Sequence, residues 1–257
     1  MKIKYSLMIL LSIYSVHSYA DADRLDLKKY QASALQHQSL CKQIPQSCET
    51  GQDAQLYQVR QQPEQYYLIW DLKLYQLRGQ NKQLQLLNQW DFSNDQAKTV
   101  TTHWTVDDEP EASDQRFIYP VLFRISAQSY AVALIQRFDE YYSGGMMTEE
   151  VADFFELKAN AQSKLQFQNI PFSVYRMIRA CFSEEDYLKG GDMGCHDEEN
   201  LILNIHYRQP YTWQMKYHYF RTLSAASDQK PVNQRRSYLL QAPQTKSLQL
   251  PAAWHEY

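Results

Sequence analysis

Glycine is scarce, with seven in 257 residues, and no apolar run reaches the about 20 residues that a membrane-spanning helix needs. The chain also lacks a basic run, so it has no electrostatic footprint of a nucleic-acid binder, and attachment to a membrane surface is disfavoured for the same reason. There is no G-x-S-x-G elbow, no H-E-x-x-H pair, no Walker loop and no C-x-x-C. These absences exclude the sequence-local signatures of serine hydrolases, zinc proteases, nucleotide hydrolases and zinc knuckles.

What is present begins with a leader. In "MKIKYSLMILLSIYSVHSYA", Lys2 and Lys4 precede an apolar stretch, and Ser18 and Ala20 supply small residues before Asp21. This pattern predicts a signal peptide over residues 1–20, cut after Ala20, and hence a periplasmic or secreted protein. The residue directly after that point is Asp21 and not a cysteine that could carry a lipid. Loss of Lys2 and Lys4 moves the formal charge from −3 to −5.

Four cysteines lie in the exported part: Cys41, Cys48, Cys181 and Cys195. An even number in an oxidising compartment favours disulfides. The local pairing, Cys41 with Cys48 and Cys181 with Cys195, is preferred because each pair brackets a short polar loop containing Pro or Gly. An acidic, exported loop is also a poor setting for a reactive thiolate.

Residues 21–54 read as a helix, "DRLDLKKYQASALQHQSLCKQI", followed by the Cys41/Cys48 loop; residues 55–257 read as an antiparallel β domain. In "YYLIWDLKLYQL", Leu68, Trp70, Leu72 and Leu74 share a face at period two, and "RGQNK" turns the chain into "QLQLLNQWDF". "VTTHWTV" is a further strand, and "DDEPEASDQ" is a charged loop. "RFIYPVLFRIS" and "YAVALIQRF" form a hairpin in which Pro120 marks an edge or a bulge. "EVADFFELK", readable as strand or helix, "KLQFQNI" and "FSVYRMIRACF" follow. In "YTWQMKYHYFRTL", paired with "LILNIHYRQ", Tyr211, Trp213, Met215, Tyr217 and Tyr219 line one face and Thr212, Gln214, Lys216 and His218 the other, the signature of one side of a packed sheet. The expected fold is all-β, an antiparallel meander of hairpins forming a sandwich, a barrel-like sheet or a propeller, with a short N-terminal helix.

"EYYSGGMM" and "DYLKGGDM" share the pattern acid-Tyr-x-x-Gly-Gly-x-Met at a spacing of 46 residues. This predicts equivalent hairpin tips on one end of the fold, presenting Tyr141, Gly144, Gly145, Tyr187, Gly190 and Gly191, with His196 and Asp197 beside them. Tyrosine next to glycine offers large amphipathic area on an adaptable backbone. Calcium through Glu184, Glu185, Asp186, Asp192 and Asp197 lacks the spacing of a calcium loop. Zinc through Cys181, Cys195 and His196 is weaker, since adjacent Cys and His chelate poorly. Asp139 and Glu140 with Asp197, Glu198 and Glu199 are the carboxylates available for glycoside hydrolysis. His206 and His218 lie on the polar face of their hairpin.

The segments "LFRISAQSYAVALIQRF" and "IPFSVYRMIRACFSEED…CHDEEN" resemble exported β-rich proteins of Gram-negative bacteria to which no activity attaches. The resemblance supports export and the β fold. The reading preferred from the sequence is a soluble, non-catalytic exported protein, without metal or cofactor, that binds a protein or envelope component through acidic Tyr/Gly loops. Its alternatives are an immunity or inhibitor protein against a secreted toxin and an envelope hydrolase using paired carboxylates. No nucleic acid and no membrane insertion are expected.

Overall fold

The computed structural model describes residues 23–49, 53–99, 115–190 and 195–254. The expected leader, the strand "VTTHWTV", nearly all of the charged loop after it, and Gly191 and Asp192 lie outside them.

Twelve strands form one open antiparallel meander: β1 (Arg24–Lys29), β2 (Gln55–Val59), β3 (Gln62–Trp70), β4 (Lys73–Gln80), β5 (Gln83–Asp91), β6 (Arg116–Arg124), β7 (Tyr130–Tyr142), β8 (Gly145–Leu157), β9 (Ser163–Arg179), β10 (His196–Gln209), β11 (Thr212–Thr222) and β12 (Val232–Gln241). Two helices accompany them, α1 (Ala34–Gln43) and α2 (Glu184–Gly190). The sheet runs from β12 in descending order to β6, then through β1 to β2–β5. β1 makes that junction by pairing Arg24, Leu25 and Asp26 with β6, and Leu27, Lys28 and Lys29 with β2.

The expected N-terminal helix is therefore corrected at its start. "RLDLKK" buries Leu25 and Leu27 and leaves the residues between and after them more exposed, the period-two pattern of a strand. Helix begins only after Ser33, where Ser33 accepts from the Gln36 backbone N–H and the Gln36 side chain accepts from the Ser33 N–H, a reciprocal capping box. A second correction falls in "YYLIWDLKLYQL", which is two strands. Asp71 takes a φ of 54° and turns the chain back, so that Trp70 pairs with Lys73. The next turn lies within "RGQNK" as expected, at Asn81 and Lys82, both at positive φ. "KLQFQNI" and "FSVYRMIRACF" merge into the single strand β9, whose register slips against β8 around Val151 and Pro171. Pro120 sits at a register slip between β6 and β7, as expected of a proline in a strand.

Packing explains why β8 was ambiguous between strand and helix. β6–β12 curl until the β10–β11 turn meets β6: Trp213 Nε1 donates to the Arg124 carbonyl at 2.6 Å and the Tyr211 N–H to that of Ile125 at 2.7 Å. Phe154, Phe167, Trp213, Tyr217 and Trp254 fill the concave side. The chain after β12 crosses this core, with Gln244 bonded to the β9 backbone and Trp254 stacked on Tyr219. Leu74, Trp90 and Phe92 of the β4–β5 region pack with Val132, Leu134 and Phe155, covering the other side of β7 and β8. α1 closes a third cluster through Leu40 with Leu68, Leu77 and Leu84. With both faces of β7 and β8 covered, their sequence loses polar alternation and becomes a near-continuous apolar run.

Candidate functional site

Both cysteine pairs form the local disulfides, Cys41 with Cys48 and Cys181 with Cys195. The second ties off the chain between β9 and β10, and this loop meets the β7–β8 tip. The Arg179 N–H donates to the Gly144 carbonyl at 2.6 Å, Gly145 pairs with Ile178, and the Ala180 N–H donates to the Cys195 carbonyl at 2.7 Å. The two glycine-containing loops thus lie side by side at one end of the sheet.

They are not equivalent tips. The first is a tight strand turn, whereas the second contains α2, a correction to the shared-pattern expectation. Its local cause is "SEED": the Asp186 carboxylate accepts the N–H groups of Phe182 (3.1 Å) and Ser183 (3.0 Å), and Ser183 Oγ accepts the Asp186 N–H (3.2 Å). These bonds, the Phe182 N–H foremost, hold the Asp186 carboxyl below its ordinary pKa. Arg179 clamps the helix to the strand end. Its Nε donates to the Cys181 carbonyl at 2.7 Å, its NH2 group donates to the Tyr187 hydroxyl at 3.0 Å, and its guanidinium lies 5.4 Å from the Phe182 ring centre.

The sheet register extends this surface. Tyr141 pairs with Met146, Met146 with Met177 and Met177 with Glu198, and directly paired residues share a face. Arg179 follows Met177 on that face at period two. Tyr141, Phe182 and Leu188 are 73, 76 and 79% exposed and Tyr187 is 52% exposed, an unusual concentration for large apolar side chains. Glu184, Glu185 and His196 are exposed around them, whereas Glu140, also exposed, pairs with buried Met147 on the other face of the sheet.

The remaining expected residues have different surroundings. Gly144 and Gly145 are half-buried in the turn. Gly190 is buried, and a Cβ there would come within 2.9 Å of Cys195 Sγ and 3.3 Å of Cys181 Sγ, so its small size lets the helix end approach the disulfide. Asp197 is buried and accepts the Ser224 N–H at 2.8 Å and the Ser227 hydroxyl at 2.6 Å, anchoring the chain between β11 and β12.

The carboxylates considered for hydrolysis do not converge. Asp139 accepts from Thr148, and Asp197 and Glu199 are buried on the opposite side of β10 from exposed Glu198. Glu199 forms an ion pair with Arg176 at 2.9 Å and accepts the Tyr219 hydroxyl, which burial and the adjacent carboxylate push up to about 12. Among the described residues, one group of potential metal ligands clusters, His37 with Cys41 and Cys48, and its two sulfurs are joined to each other.

Phe182, Leu188, Met146, Met177 and Arg179 escaped the sequence reading. Ser-x-x-Asp at Ser183 and Asp186 is a helix-start signal that would have turned Phe182 and Leu188 into flanks of a short helix; the register that adds Met146 and Met177 has no local signal. Comparison with known proteins gives no match: no family model, no curated protein and no solved structure resembles this chain.

Proposed function

We propose that the protein is an exported, non-catalytic binding protein whose recognition surface is the end formed by the β7–β8 turn and α2. Export rests on the leader pattern of residues 1–20 and on two disulfides, which suit an oxidising compartment. Among the described residues, no helix is long and apolar enough to cross a membrane.

The observation that carries the reading is the exposure of Tyr141, Phe182, Tyr187 and Leu188 on a support braced by Arg179 and a disulfide. Each such side chain gains about 1.5–3 kcal/mol when fully buried, so a partner that covers them recovers a large apolar contribution. The brace lowers the ordering cost that a floppy loop would incur on binding. Glu184 and Glu185 rim the apolar residues, which fits a protein partner with an apolar pocket and a basic border.

A photoreactive amino acid placed at Phe182 or Leu188 should give one discrete adduct in cells, while the same group at Leu87, exposed on distant β5, should not. The partner identified from the adduct should bind the purified wild-type protein and lose at least tenfold in affinity for Tyr141→Ala/Leu188→Ser. Identical adducts from all three positions, or unchanged affinity of the double variant, would overturn the reading.

A further inference from the structure

The outer face of β10–β12 carries three cross-strand rows: Ile202, His218 and Arg235; Asn204, Lys216 and Ser237; His206, Gln214 and Leu239. No carboxylate occupies any of these positions. Like charges in neighbouring positions of a sheet repel one another, yet among the described residues Lys216 and Arg235, diagonal neighbours on this face, have no hydrogen-bond or ion-pair partner. Both histidines, Gln214 and Ser237 are engaged. His206 Nδ1 lies 3.1 Å from Asp23 Oδ2, the nearby carboxylate, and His218 Nε2 lies 3.0 Å from Asn233 Oδ1. Ser237 Oγ accepts from Gln214 at 2.7 Å, which leaves its own proton free to donate.

Asn204, His206, Lys216, His218, Arg235 and Ser237 line a hollow of about 380 Å³. Cations on an edge strand are often a guard against strand addition, which would account for Arg235 and Arg236 on β12. It does not account for Lys216, because β11 is paired on both sides. The cations are also concentrated against the charge of a chain whose net formal value is −3. Ile202 and Leu239, in the two outer rows, are exposed apolar shoulders on either side of the Lys216 row.

We propose that this hollow binds the phosphate-bearing head of an amphiphile. Arg235 presents a planar fork suited to paired phosphate oxygens, Lys216 adds a point charge, and Ser237 adds a hydroxyl donor. Ile202 and Leu239 cover the apolar part adjoining the head. The site is separate from the α2 end, so either proposal can fail without the other.

Binding is tested on the full mature chain at 0.15 M salt by co-sedimentation with phosphatidylglycerol vesicles, against phosphatidylcholine vesicles, and by calorimetry with pyrophosphate. Expected are sedimentation with phosphatidylglycerol alone and competition by pyrophosphate. Lys216→Gln/Arg235→Gln should reduce vesicle binding at least tenfold. Lys29→Gln/Lys42→Gln, which removes the same charge from exposed positions outside the hollow, should change it less than twofold. Ile202→Ser/Leu239→Ser should lose vesicle binding and keep pyrophosphate binding. Equal losses in the two charge-removed double variants would overturn the site by making the attraction generic. Pyrophosphate binding without vesicle binding would overturn the amphiphile, and binding of neither probe would overturn the proposal outright. The double variant at the hollow is also melted, and Arg235→Gln alone, expected to lose at least threefold, replaces it if it fails to fold.

Discussion

Two sets of basic residues lie on opposite faces of β9–β12 and obey opposite rules. Inside, Arg176, Glu199 and Arg221 stand directly across from one another on β9, β10 and β11, with Glu199 2.9 Å from Arg176 and 3.9 Å from Arg221. Outside, Lys216 and Arg235 have no carboxylate partner among the described residues. A buried charge must be matched because its desolvation costs several kcal/mol, whereas water solvates an exposed one. Charge inside this sheet therefore reports on stability, and unmatched charge outside it is available to a ligand.

The largest expected effect breaks the inner row. Glu199→Leu leaves buried guanidinium groups without their carboxylate and should cost about 3–5 kcal/mol in urea unfolding. Arg176→Met/Glu199→Leu should cost less than the sum of its single changes, because the pair is removed as a unit. A comparable loss from Lys216→Gln/Arg235→Gln would erase the distinction between the two faces.

Next in size is the brace under the candidate recognition surface. Cys181→Ser/Cys195→Ser opens a loop of sequence separation 14, for which chain entropy predicts about 3 kcal/mol. Partner binding should weaken further than stability alone explains, as a melt and a titration on the same sample would show. Unchanged affinity would mean that the surface needs no bracing.

A third test uses Glu156, a buried carboxylate at the far end of β8. Burial acts to raise its pKa, but hydrogen bonds from Lys158, Ser129 and Gln166 outweigh burial and hold it below the ordinary 4.5. A depressed folded-state pKa means that the ionised group stabilises the fold above 4.5 and that this contribution disappears as pH falls through the lower folded value. Wild-type Tm should accordingly drop below pH 4.5, and Glu156→Gln should flatten that drop. An identical pH profile in the variant would show that the acid sensitivity lies elsewhere.

The smallest effects belong to the exposed side chains. Tyr141→Ala, Leu188→Ser and Lys216→Gln should each stay within about 0.5 kcal/mol of wild type in unfolding experiments. A larger loss at either of the first two would place that side chain in the core.

Some of this was legible along the chain. The alternation from Tyr211 to Tyr219 identified the core face of β11, because one of its faces is covered and the other solvated. Pro120 marked an irregular strand pairing because it cannot donate to a ladder. Other features depended on partners distant in sequence. Asp71 reads as one more residue in an apolar run until its φ reveals a turn, and "RLDLKK" looks like the start of a helix until β6 and β2 pair with it.

By itself, then, the sequence determined the β-dominated character of the chain, the local disulfides and the alternating faces of its last hairpin, since those depend on neighbours within about twenty residues. Tertiary structure alone decided that Tyr141, Met146, Met177 and Phe182 adjoin, and that a chain without a basic run has a basic hollow. Strand pairing sets side chains about 5 Å apart irrespective of their separation along the chain, and register is cooperative over the whole sheet.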